Sequence, residues 1–415
     1  MLEHLKKEDP DIFSLHLMEL QKQSHSLHMI PSDNLASMAV LQALSIPAQN
    51  RYAEGYPGRR YYGGQEFIDG IERTAIERAK KLFGAAHANV QPYSGSPANQ
   101  AVYFALMELH DTFLGMRLDH GGHLTHGHLV NFSGKHYTVV PYGVRKEDEL
   151  IDFDEVRRLA QEHKPKLIQA GYTAYSRIID FRQFREICDE VGAYFFVDMS
   201  HFAGLVAGGA YPSPVPYADA VMTTTHKTLR GPRGAIILCK QELAEKIDKA
   251  VFPGLQGGPH ENAIAAKAVC FKEAMQPSFR DYAHQIVKNC KKLELLGAEM
   301  RLVSGGTDSH LLLVDLQQKL TGKVAEKALD ESGITVNKNT IPFDPRRPFD
   351  PSGIRLGTAT LTSRGMKERE MEAVADLILR VLRNPDNPDV KQQVRNEVME
   401  LCSRFPIYPE LQTAA

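Results

Sequence analysis

A chain of 415 residues is too long for one small core and suits two packed domains. Its 49 Lys and Arg against 51 Asp and Glu leave a net charge of −2, which excludes a global electrostatic pull toward nucleic acid or an anionic membrane. Five scattered cysteines without CxxC spacing argue against a disulfide framework or a zinc site, and no stretch of ~18 apolar residues predicts a membrane span. With an N-terminus that lacks an apolar signal core, the expectation is a cytoplasmic protein.

Residues 11–28 read as an amphipathic helix and 67–83 as a second, opened by Asp69 and Glu72 and stopped at Gly84. A helical run at 98–109 follows the small hydroxylated loop Ser94-Gly95-Ser96. Apolar runs at 166–170, 193–197, 218–222 and 234–238 then alternate with helical segments at 153–163, 181–191 and 241–250. That alternation predicts βαβ units and the α/β class, with a doubly wound, mainly parallel sheet. After about residue 280 the texture changes. A helix at 280–297, strands near 299–303 and 310–315, a helix at 322–332, a Pro-rich loop at 342–351, a strand at 353–357 and helices at 366–383 and 388–403 predict a smaller α+β domain. The expected division is 1–280, an N-terminal arm and large domain, and 281–415, a small C-terminal domain. The helices at 11–28 and 366–383 read as packing faces without chemistry.

Chemistry-bearing residues gather behind the strands. Asp198 closes the apolar run 193–197, and an acid at the C-terminal end of a parallel strand sits where open α/β sheets bind ligands. A helix cap accounts for this residue taken alone equally well. After the next strand, Thr223-Thr224-Thr225-His226-Lys227 leads to Arg230 and Arg233. A lysine directly after a strand, flanked by hydroxyls and glycine, is poorly explained as a solvated charge. An acid and a lysine at successive strand ends have the chemistry to partner a pyridinium nitrogen and to hold the aldehyde of pyridoxal phosphate. Ser94, Gly95 and Ser96 offer amides and hydroxyls to a phosphate at a helix start, although such loops also cap helices generally. Gly254 to Pro259 reads as an anion-friendly turn or as a plain loop. The histidines between 120 and 136, His126 and His136 included, lack Cys partners and a His pair at helical spacing. They read as hydrogen-bonded or surface residues, and no metal site is expected.

Longer motifs carry a resemblance. Tyr52–Gly64 (YAEGYPGRRYYGG), His120–His126 (HGGHLTH), Thr223–Gly234, Phe252–Pro259 and Val336–Thr340 resemble serine hydroxymethyltransferases, in order along nearly the whole chain from Asp9 to Tyr408. The resemblance implies an aspartate-aminotransferase-like, type I pyridoxal-phosphate fold. It implies that Lys227 carries the cofactor, that Asp198 keeps its ring nitrogen protonated, and that His123 stacks on the ring. His201 would pack beside the cofactor's hydroxyl edge, Thr173 would offer its phenolic oxygen a hydroxyl, and Ser94, Gly95 and Ser96 would cradle the phosphate. Tyr52, Gly257 and Gly258 match groups that reach the phosphate from a neighbouring subunit, which implies a homodimer or tetramer with shared sites. Arg355 taken alone reads more simply as a structural salt bridge; the resemblance makes it the grip on the amino-acid carboxylate. Glu54 matches an acid/base carboxylate, while Ser32 and Tyr62 match the substrate pocket. Leu118, Gly122, Leu124, Asn339 and Phe349 match the wall around the pteridine of tetrahydrofolate. The implied reaction moves the hydroxymethyl group of L-serine to tetrahydrofolate, giving glycine and 5,10-methylenetetrahydrofolate reversibly.

Five departures from the family pattern stand out. Asp33 replaces a glutamate, Thr173 a serine, Ser200 an alanine and Met222 a threonine, and the loop at 346–351 carries Arg346 and Arg347. None removes a catalytic group, but a methyl or hydroxyl in such a pocket shifts discrimination by ~1–3 kcal/mol. A folate-independent β-hydroxy amino acid aldolase or transaldolase and an α-methylserine hydroxymethyltransferase therefore stay open as alternatives. A non-catalytic scaffold is disfavoured by the intact Lys227, Asp198, Glu54 and Arg355.

Overall fold

The computed structural model describes residues 2–317 and 319–412. Its centre is a seven-stranded sheet of β1 (His87–Asn89), β2 (Thr112–Met116), β3 (Thr138–Tyr142), β4 (Leu167–Gly171), β5 (Tyr194–Asp198), β6 (Ala220–Thr224) and β7 (Ala235–Cys239). The spatial order is β1-β7-β6-β5-β4-β2-β3. Strands β2 to β6 are parallel, and β7 runs antiparallel between β6 and β1. Successive strand residues face opposite sides, so both faces must be covered. Leu114, Ile168, Val197 and Ile236 pack under helices α1 (Glu66–Phe83), α3 (Phe153–His163), α4 (Phe181–Val191) and α5 (Glu261–Ala274). Phe113, Leu167, Phe196 and Ile237 face the other way, toward α2 (Gly95–Leu106).

Caps fix where the helices begin and end. Asp152 and Asp180 accept backbone N–H bonds at the starts of α3 and α4. Gly84 takes the left-handed conformation (φ 70°) that closes α1 at the predicted stop. The four predicted strands are β4 to β7, with β6 starting two residues late. Asp219 is spent before it, accepting from Phe195 N and pairing with Arg185 and Lys240. Strands β1, β2 and β3 carry no clear sequence signal. Two lie at sheet edges, and Gly115 interrupts β2 because a side chain there would collide with the His126 carbonyl.

A second, antiparallel sheet holds β8 (Arg301–Leu302), β9 (Leu311–Asp315), β10 (Asn337–Asn339) and β11 (Gly353–Gly357) in the order β8-β9-β11-β10. Its apolar face packs against α6 (Pro277–Lys292), α7 (Gly322–Glu331), α9 (Glu368–Arg383) and α10 (Pro388–Ser403); the short α8 (Ala359–Ser363) follows β11. Two expectations need correction. The first long helix ends at Ser24 rather than 28, because Leu27 and His28 pair as a strand with Ile334 and Thr335 and Leu27 joins the second core. The 280–297 helix is α6 followed by a 3-10 stretch at Leu293–Ala298. No helix among the described residues is long and apolar enough to cross a membrane.

Candidate active site

The C-terminal ends of β4, β5 and β6 lie side by side and deliver three loops to one place. Gly171 makes the approach possible: it has φ 126°, and a side chain there would collide with the Asp198 carbonyl. Asp198, at the end of β5, is buried. Its Oδ2 accepts from Asn99 Nδ2 at 2.9 Å and lies 3.2 Å from His126 Nε2, and its Oδ1 accepts from Ser200 N at 3.0 Å. The His126 Nδ1 accepts from His123 N (3.1 Å), so the imidazole proton sits on Nε2 and points at the carboxylate. Burial raises the Asp198 carboxyl, but His126, Lys227 and Asn99 outweigh it and hold the group far below the usual carboxylate range. Asp198 is a fixed anion.

The same asparagine amide donates to Thr125 Oγ1 (2.7 Å), which lies 2.7 Å from His123 Nδ1. His123 is thereby held by its edge, leaving its ring face free, and burial followed by His126 pushes its pKa down to about 4. The ring is neutral. His201 is buried directly after Ser200, with Nδ1 3.1 Å from His310 Nε2, and burial holds it well below its ordinary value.

Lys227 follows β6 in a turn stapled on both sides. Thr225 Oγ1 donates to Pro232 O, and Thr228 Oγ1 donates to His201 O while accepting from Gly204 N. Burial lowers the ammonium, Asp198 opposes this, Arg355 and Arg233 add to it, and the result is about 8. Arg355 arrives from β11 of the second sheet. Its Nη1 donates to Thr173 O (2.6 Å) and its Nε to Asn337 Oδ1 (3.0 Å). Only 7% of it is exposed, yet among the described residues no carboxylate lies within ion-pair distance. Burial pulls its pKa to about 10, against the more distant Asp33. A buried cation without a counter-charge is costly, so the geometry favours an anionic ligand here.

A second group of predicted residues gathers elsewhere. The Tyr52 and Tyr62 rings meet edge-on at 5.6 Å. A Cβ placed on Gly257 would come 3.3 Å from Glu54 Oε1, and one on Gly258 3.1 Å from the Tyr52 ring. No hydrogen bond or ion pair among the described residues joins this group to Asp198, Lys227 or Arg355. Leu118, Gly122 and Leu124 share a third loop, which touches the 341–351 loop where His120 meets Phe343 at 4.7 Å. Phe349 projects there, 88% exposed, and the Asn339 amide is turned back onto Thr340 O. Ser32 lines a separate cavity of about 450 Å³ with Asp33, His226 and Arg233.

A sequence model of the family described as serine hydroxymethyltransferase matches residues 5–378. A serine hydroxymethyltransferase from Koribacter versatilis (strain Ellin345) is 58% identical over 413 residues, covering 99% of this chain and 97% of that protein. The chain belongs to the serine hydroxymethyltransferase family. Members of the family have the type I pyridoxal-phosphate fold, depend on that cofactor, and use tetrahydrofolate as co-substrate.

The residues present fit the cofactor. Thr173 Oγ1 and Thr224 Oγ1 are buried and meet no partner among the described residues, so two hydroxyls await hydrogen bonds beside the fixed anion and the lysine. Gly95 leaves the space that a Cβ would fill, 2.7 Å from Thr224 Cγ2. The Ser94 side chain makes no capping bond at the start of α2. Two family departures prove to be neighbours: Ser200 Oγ donates to Met222 Sδ (3.6 Å) and accepts from Thr224 N (3.0 Å). The hydroxyl gained at 200 thus serves the sulfur gained at 222. Sequence reasoning missed Asn99, Thr125, His310 and Asn337 as supporting groups. It left His126 among the hydrogen-bonded or surface histidines; the residue is buried and hydrogen-bonded, and its partner is Asp198.

With Lys227 as the group expected to take the cofactor's aldehyde, its lowered amine predicts a pH dependence. Attack on an aldehyde needs the free amine, and below about pH 8 the folded apoprotein holds it protonated. Covalent uptake of pyridoxal phosphate should rise roughly tenfold per pH unit toward that point and level off above it, instead of climbing to the ordinary lysine range near ~10.4. Stopped-flow absorbance of apoprotein mixed with cofactor reads this directly.

Proposed function

We propose that this chain catalyses reversible hydroxymethyl transfer between L-serine and tetrahydrofolate, with Lys227 holding pyridoxal phosphate. The observation that carries the reading is the buried Arg355, with no carboxylate within ion-pair distance among the described residues, near enough to the half-buried Lys227 to lower its ammonium, in a member of this family. The bound cofactor supplies an electron sink that draws charge from the amino-acid α-carbon. Asp198 holds a proton on the pyridine nitrogen, and His126 and Asn99 keep that carboxylate aimed. His123, a neutral imidazole, would cover the ring face, His201 would bound the hydroxyl edge, and Thr173 would offer its unpartnered hydroxyl to the phenolic oxygen. Ser94, Gly95 and Ser96 receive the phosphate on free amides and hydroxyls.

Arg355 orients the substrate carboxylate through a planar fork, and Ser32, in the neighbouring cavity with Asp33, His226 and Arg233, is the substrate-pocket residue that the family pattern gives. Glu54 moves the proton at the hydroxymethyl oxygen, with Tyr62 beside it. Leu118, Gly122, Leu124, Asn339 and Phe349 enclose the pteridine. The domain division at about residue 280 fits this scheme, Arg355 reaching in from the smaller part. Buried free cysteines suit a reducing, cytoplasmic setting. The experiment is turnover of serine with and without tetrahydrofolate, beside threonine, allo-threonine and α-methylserine. Folate-dependent conversion of serine to glycine is expected; equal rates without folate, or preference for another amino acid, overturns the reading.

Glu54, Tyr52, Tyr62, Gly257 and Gly258 form their own cluster, which supports a homodimer or tetramer whose sites are completed by a second copy. Mixing Glu54→Gln and Lys227→Ala subunits, each inactive alone, should then restore about a quarter of wild-type activity after exchange, since half the dimers hold one intact site. No recovery from verified hybrids would place both residues in one chain's site.

A further inference from the structure

The turn that carries Lys227 is tied to a residue whose role the reaction scheme leaves unassigned. Asn34 Nδ2 donates to the Lys227 carbonyl at 2.8 Å and to the Tyr282 hydroxyl at 2.7 Å. Its Oδ1 accepts from Leu35 N (2.9 Å) and from Ser363 Oγ (2.6 Å), and that serine hydroxyl lies 3.1 Å from the Tyr282 hydroxyl. All four hydrogen-bonding positions of the amide are therefore used, and its orientation is fixed: a flipped amide would set oxygen against the lysine carbonyl. The guanidinium of Arg230, three residues past the lysine and at φ 62°, sits 4.8 Å over the Tyr282 ring. Arg230 N also donates to the Lys227 carbonyl, at 2.9 Å.

These contacts join four separate parts of the chain. Asn34 belongs to the 31–36 segment with Ser32 and Asp33, and Thr360 Oγ1 holds that segment through Asp33 O (2.9 Å). Thr360 and Ser363 lie on α8, directly after the strand that carries Arg355. Tyr282 lies on α6. One amide thus spans the lysine turn and the helix beside the carboxylate-binding arginine.

We propose that Asn34 is a positioning residue that sets where Lys227 stands relative to Arg355, with Tyr282 and Ser363 as its supports. The proposal deepens the reading given above and rests on it. A group misplaced by about 1 Å through a distant change can lose ~100-fold in rate, so a single amide has enough leverage here.

The test uses Asn34→Ala and Asn34→Leu. Leucine comes close to asparagine in size and adds no charge, but it has no N–H for the lysine carbonyl, so a packing role would tolerate it and a positioning role would not. Both variants, folded and loaded with cofactor, should lose roughly 10- to 100-fold in kcat with serine. Both should also shift the pH midpoint of the bound-cofactor absorbance by about half a unit or more, because the charges around the lysine are re-spaced. Ser363→Ala, which frees the amide oxygen and keeps the donor, should show the same changes at smaller size, and it decides the matter if the Asn34 variants do not fold. Wild-type kcat and an unshifted midpoint in Asn34→Leu overturn the proposal. The pH dependence of Lys227 modification by an amine-reactive reagent in apoprotein separates the two ideas. A midpoint moved in the uncharged Asn34→Leu with no cofactor on Lys227 in the wild type sinks the proposed function alone, and an unmoved midpoint sinks this proposal.

Discussion

Lys227→Ala should abolish serine turnover, with a loss on the order of 10³-fold or more, while the protein stays folded. The lysine sits in a turn whose shape is set by Thr225, Thr228 and backbone bonds. Its ammonium contributes no ion pair among the described residues that the fold needs. Removing a cation from a half-buried site also relieves a desolvation cost, so stability should hold or rise. The sign follows from the lowered amine value: a proton bound less tightly in the folded state penalises folding below about pH 8, and that penalty fades as pH rises toward the unfolded value near ~10.4. The variant should lack this dependence, which urea denaturation of the two apoproteins at pH 7 and 10 would reveal. A folded variant with a tenth of wild-type turnover would contradict the role given to Lys227.

The second large effect belongs to Arg355. Truncating a desolvated charge that grips an opposite charge costs about 3 kcal/mol, or more than 100-fold in kcat/KM. Arg355→Ala should raise KM for serine more than it lowers kcat, because the carboxylate is held in the ground state and the transition state alike. Arg355→Lys keeps the charge but loses the fork to Thr173 O and Asn337, and should recover only part of the loss. Tetrahydrofolate binding should barely change. A loss confined to kcat would mean that Arg355 acts at the reacting atoms instead.

Much of this was legible before any coordinates. The buried strands β4 to β7 read clearly because both of their faces are covered, leaving near-continuous apolar runs. Asp198 and Lys227 stood out by position behind those runs. Edge strands β1 and β3 did not, since β1 is three residues long with two of them polar, and β3 is half-exposed and holds a proline. Leu27 and His28 read as helix because their pairing partners lie some three hundred residues away, at Ile334 and Thr335. The supports of the site were hidden for the same reason. Asn99 and His126 converge on Asp198 from separate segments, and nothing local in either distinguishes a supporting residue from a surface one. Arg355 alone looked like a salt bridge; only the fold reveals that no acid pairs with it among the described residues.

The measurement that bears most directly on the account is borohydride reduction of the holoenzyme followed by peptide mapping. A single pyridoxyl label on Lys227, in the peptide that contains His226 and Thr228, is the predicted result. A label on any other side chain, or none, would contradict it.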